Sequence, residues 1–184
     1  MSPATTTRRL LLAWVPTLLW CVVISFESTT TFSGDHTAMW LRRLLALFSG
    51  HITWSQVELA NDVLRKIGHF FGYGTMSCFA FLGWTETFAW QRDRALIRAG
   101  QPATGERRWH LRAAVLAVVV TAAVASLDEF HQSYLPGRTG VFRDVILDTM
   151  GGVVVQVLLF WYLSRRKPGV ASPAQPELDH MPAD

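Results

Sequence analysis

The sequence predicts an all-α protein: a polytopic integral membrane bundle of four transmembrane helices, with an interfacial helix between the first two. Three observations lead there. Of the 184 residues, 50% are hydrophobic and only 17% are charged, against roughly 25% charged in an average soluble domain. Four runs, at 10–26, 67–85, 113–127 and 145–163, are nearly free of charge, and crossing hydrocarbon takes about 20 apolar residues. Residues 115–124 have no polar face beyond Thr121, whereas a helix on a soluble protein keeps one.

Each element follows in order. The first span covers 10–26. Its opening, "TTTRRLLLAWVP", has the look of a twin-arginine or secretory signal. No small-x-small cleavage site follows "WCVVISF", so the segment reads as an uncleaved helix. A Ser/Thr-rich loop, "ESTTTFSGD", leads to 37–49, where Trp40, Leu41, Leu44, Leu45 and Phe48 share a face with Arg42 and Arg43 off it. That pattern suits a helix lying in the headgroup layer. "SQVE" has capping-box spacing, which starts the second helix at Ser55, with its span at 67–90. Residues 91–112, centred on "AGQPATGERR", read as a flexible cytoplasmic linker. The third span, 111–132, has an apolar run of only 15 residues and must include its polar end to reach across. The fourth, 141–163, carries Asp148 inside it. One domain thus fills 1–167, and the Pro-rich tail at 168–184 reads as disordered and cytoplasmic.

The net charge of +3 comes from 15 Arg and two Lys against 14 acids. These basic residues sit in loops rather than along one face, which excludes a nucleic-acid footprint. They bear on topology instead. With the N-terminus inside, eleven basic residues lie on the cytoplasmic side and six on the other, so both termini are expected inside. Cys21 and Cys78 both fall mid-span, which excludes a disulfide framework. The chain carries no glycine-rich phosphate loop, zinc-finger spacing or Gly-x-Ser-x-Gly elbow.

Polar residues then break the apolar runs in a pattern. On the second helix Asp62, Lys66, His69 and Tyr73 are separated by four, three and four residues and lie on one stripe. The third helix ends in "DEFHQ", where Asp128, His131 and Gln132 share a face and Glu129 is rotated about 100° from Asp128. A Pro-Gly-Arg turn follows, with Arg138 in it. The fourth helix places Asp144, Asp148 and Gly151 on one face, with Gly152 beside it. In the expected topology all three sets meet at the extracytoplasmic surface. An ionisable side chain within a span costs roughly 2.5–3.5 kcal/mol on insertion scales, so these groups are expected to face and compensate one another.

"KIGHFFGYG" (66–74) and "DEFHQSYLPGRTGVFRDVILDTMGG" (128–152) resemble the VanZ-like family of bacterial membrane proteins. The likeness covers the last three helices. It implies a bacterial cytoplasmic membrane location and, for the founding member, a link to teicoplanin-type glycopeptide resistance, with no agreed biochemical activity. Where the family pattern commonly has Asn, this chain has Asp148.

Three functions remain open on these residues. In the first, an enzyme acts on an envelope lipid or lipid-linked saccharide. Asp128, Glu129, His131, His69 and Asp144 are then the catalytic candidates, with acid–base roles for the carboxylates and proton transfer by the histidines. Lys66 and Arg138 would hold phosphate, with Tyr73, Gln132 and Asp148 completing the substrate site. In the second, the same groups bind a phospholipid headgroup, lipid-linked precursor or glycopeptide without turnover. The third, an ion-coupled carrier, ranks last because few polar residues continue inward. No cofactor is indicated, the metal question is open because no spacing matches a ligand motif, and the oligomeric state is undetermined. The bilayer itself is the one partner the composition demands.

Overall fold

A computed structural model of the chain describes residues 3–29, 34–48, 51–104, 109–135 and 140–165. These form five α-helices and, among the described residues, no strand: α1 (Pro3–Glu27), α2 (Gly34–Ala46), α3 (Trp54–Arg98), α4 (Leu111–Gln132) and α5 (Phe142–Arg165). Three segments are long and apolar enough to cross a membrane, Thr7–Glu27, Leu111–Gln132 and Phe142–Arg165. The second expected span is not among them. Residues 67–90 are helical, but His69, Tyr73, Thr75, Ser77, Trp84 and four glycines hold down the hydropathy of that stretch.

The bundle is inside-out in composition. Among the described residues twelve apolar side chains are buried, seven of them alanine, beside twelve buried polar or charged ones. Leu18, Phe71, Val119 and Val157 are meanwhile exposed. Water would punish that arrangement, and hydrocarbon rewards it, because in lipid polar groups must be satisfied within the protein.

Helix directions alternate, which is what gathers the polar residues. Trp14 of α1 meets Thr87 and Trp84 of α3, whereas Trp20 reaches back to the Gly72 carbonyl at 2.8 Å. The two helices are therefore antiparallel. α3 and α5 run parallel: His69 meets Asp148, and Ser77 meets Gly152 and Gln156. This pairing is close because of glycine. A Cβ on Gly151 would collide with the Phe70 carbonyl, and one on Gly74 would lie 3.2 Å from the Gly151 carbonyl. Only bare backbone lets these helices approach so nearly.

Several boundaries differ from expectation. α3 begins at Trp54, with Thr53 as N-cap. Gln56 Oε1 accepts from the Thr53 amide at 3.0 Å, so the cap is Thr53 with Gln56 rather than Ser55 with Glu58. α3 then runs on to Arg98, so the first part of the expected linker is helix; Trp90 and Arg94, stacked at 4.7 Å, help extend it. The turn at 136–139 and the tail at 168–184 lie outside the described residues.

Candidate functional site

Because directions alternate, one end of the bundle collects the last turn of α1, the His69–Tyr73 turn of α3, the end of α4 and the start of α5. Asp128 sits there, buried, and its Oδ2 accepts two hydrogen bonds, from Tyr73 Oη at 3.1 Å and from Gln132 Nε2 at 2.9 Å. Neither donor is free to turn elsewhere: Tyr73 is 2% exposed and Gln132 3%. Asp148, fully buried on α5, faces His69 of α3, with Nδ1 3.4 Å from its Oδ2. Glu129, also buried, accepts from the Val141 amide at 2.8 Å and so caps the first turn of α5. Gly140 permits this join, since a Cβ there would strike the Glu129 carbonyl. Asp144 is half-buried and close enough to Glu129 for their charges to interact.

Two expected members stand elsewhere, and a third lies outside the described residues. His131 is exposed, with no partner among the described residues. The buried face of α4 holds Thr121, Ala125, Asp128, Glu129 and Gln132. At 100° per residue, that face is centred about 100° from His131 and takes in Glu129. Helical spacing had put His131 on the Asp128 face and Glu129 off it; packing against α5 selects the other side. Lys66 is exposed and forms no ion pair among the described residues. Arg138 lies outside the described residues.

The sequence also left out contributors. Ile24 and Glu27 of α1, with Ser28 just after it, line a cleft of about 20 Å³ with Gly68, His69, Gly72, Tyr73 and Asp128, room for roughly one water. Ser28 is buried with its hydroxyl unpartnered among the described residues. Nothing in the pattern of α1 pointed there, since the link is set by the antiparallel crossing with α3. Deeper in, Gln156 Nε2 donates to Ser77 Oγ at 2.9 Å, and Ser77 Oγ donates to the Gly152 carbonyl at 3.2 Å. These bonds knit α3 to α5 below the acidic end.

A family model described as VanZ/LLP1 matches residues 13–163, a stretch that takes in every residue of this cluster. The chain belongs to the VanZ/LLP1 family. No curated protein and no solved structure matches it. Membership and the three apolar helices together make this VanZ/LLP1 chain a membrane protein in contact with lipid.

The electrostatics of the VanZ/LLP1 cluster are one-sided. Asp128, Glu129 and Asp148 are buried together with Asp144 nearby. Among the described residues His69 is the one basic side chain that pairs with them. Arg65 acts on His69 through space but forms no ion pair among the described residues. The ligand atoms of His69, Glu129 and Asp148 lie within 4.8 Å of one another. Chemically, the site offers an imidazole oriented by a buried carboxylate, and a second carboxylate fixed by a phenol and an amide.

Proposed function

We propose that this protein acts on the headgroup of a cell-envelope lipid or lipid-linked precursor at the outer face of the bacterial cytoplasmic membrane. The His69–Asp148 pair carries the reading. Asp148 is 0% exposed and His69 is 27% exposed at the side chain. A buried carboxylate that orients a half-exposed imidazole leaves the second ring nitrogen for a ligand, the arrangement of a general base and its positioning partner. Asp128, held by Tyr73 and Gln132, supplies a second carboxylate beside it.

The membrane arrangement belongs to the same reading. α3 is the fourth spanning helix: at 1.5 Å per residue its 45 residues extend well past the hydrocarbon, and it packs lengthwise on α1, α4 and α5. α2, with Trp40 and Leu44 exposed, lies in the outer headgroup layer. The arginine balance puts both termini in the cytoplasm and the acidic end outside. The cleft is small, so a headgroup engages at the rim, between Glu27 and His69, while its acyl chains stay beside the exposed apolar helices. The family's tie to glycopeptide resistance fits a change in what the envelope presents.

Lipid profiling of cells with and without the protein tests this. One headgroup or precursor class should shift when the wild type is present and return when His69→Gln replaces it. An unchanged profile alongside unchanged glycopeptide susceptibility would overturn the proposal.

A further inference from the structure

Among the described residues the acidic end carries more carboxylates than basic partners. Three buried carboxylates face one imidazole among the described residues, and burying unpaired charge is strongly unfavourable. Asp148 shows the deficit most plainly: it is 0% exposed, and its Oδ1 has no hydrogen-bond partner among the described residues. Its other oxygen stands 3.4 Å from His69 Nδ1, long beside the ~2.7–2.9 Å of a charge-assisted hydrogen bond. That separation has another meaning. Two ligands each ~2.1 Å from a tetrahedral metal ion are ~3.4 Å apart. Glu129 supplies the third ligand atom, an oxygen, with all three within 4.8 Å of one another.

We infer that His69, Glu129 and Asp148 form a divalent transition-metal site of the zinc class, with a coordination position open to the cleft. An imidazole among the ligands favours such a metal over Mg²⁺ or Ca²⁺, which prefer oxygen alone. Three protein ligands with one open position are the pattern of a reactive rather than a structural site. Glu129 can serve both the Val141 amide and the metal, because a carboxylate has several acceptor positions. The inference rests on the reading of this end as the working site and revises one role in it: His69 and Asp148 hold the ion side by side rather than acting as base and positioning partner. It also removes a difficulty, since a bare acidic cluster repels a phosphate-bearing headgroup, whereas a metal ion would bridge the two.

The full chain, purified in detergent and stripped with a chelator, is titrated with Zn²⁺ alone. One ion per chain should bind, and thermal unfolding should shift upward. His69→Gln, Glu129→Gln and Asp148→Asn should each weaken binding by more than the roughly 10–100-fold that loss of an outer-shell partner costs. His131→Gln, exposed and outside the cluster, should leave it unchanged. Uptake that none of the three ligand variants weakens, or no uptake by the wild type, overturns the inference. Should the variants fail to fold, Co²⁺-loaded wild type decides: a four-coordinate visible spectrum supports the site, and a spectrum of hydrated six-coordinate ion contradicts it. If metal does not bind yet the lipid profile still changes, only this inference fails; if metal binds and lipids do not change, the functional reading fails instead.

Discussion

The two ends of the bundle use the same helices for different purposes. At one end Ala80, Phe81, Ala113, Ala114 and Ala117 are buried under Trp84, Phe88, Trp109, Leu159 and Leu163, with Trp109 against Phe160 at 4.8 Å between ring centres. Small residues bring backbones together and aromatic rings fill what remains, which is how helices associate in lipid. At the other end the same helices bury Asp128, Glu129, Gln132 and Asp148. Packing there is bought with glycine at 140 and 151 rather than with alanine. Buried charge is weak ground for stability. One end holds the bundle together by packing, and the other carries the polar groups on which the proposed function rests.

The largest effect should come from closing the approach that both ends share. Gly151→Leu sets a branched side chain against the Phe70 backbone and should destabilise by about 3 kcal/mol or more, seen as loss of folded protein on size exclusion in detergent. Next is Ala117→Leu at the alanine end, where exposure is 0%. It should cost about 1–3 kcal/mol in thermal unfolding while leaving the lipid change per folded molecule intact. A lipid phenotype lost at full folding would erase the distinction between the ends. Tyr73→Phe takes one donor from Asp128 and should cost about 1.5 kcal/mol, yet reduce the lipid change far more than Ala117→Leu. The smallest effects belong to Lys66→Gln and His131→Gln, both exposed, which should stay within about 0.5 kcal/mol of wild type.

Much of this was legible in the sequence. Charge-free runs marked the cores of α1, α4 and α5, because lipid tolerates little else, and the residues of the acidic end were visible as interruptions in those runs. What escaped depended on tertiary packing. A helical wheel gives angles within α4 but not which side meets α5, so His131 and Glu129 exchanged places. The C-terminal end of α3 escaped because the charged residues after Trp90 read as a linker, whereas they continue the helix to Arg98. Glu27 and Ser28 joined the cleft only through the crossing of α1 with α3. The ligand trio is spread over 69, 129 and 148, so no local motif could reveal it.

The contact between His69 and Asp148 is where the account is most exposed. A double-mutant cycle with His69→Gln and Asp148→Asn, read by thermal unfolding of the chelator-stripped protein in detergent, measures whether these side chains act as a unit. The two single losses should fail to sum by at least about 1 kcal/mol, as expected for groups in one network. Additivity to within about 0.5 kcal/mol would mean that the carboxylates and imidazole at this end are independent, and that the site does not exist as described.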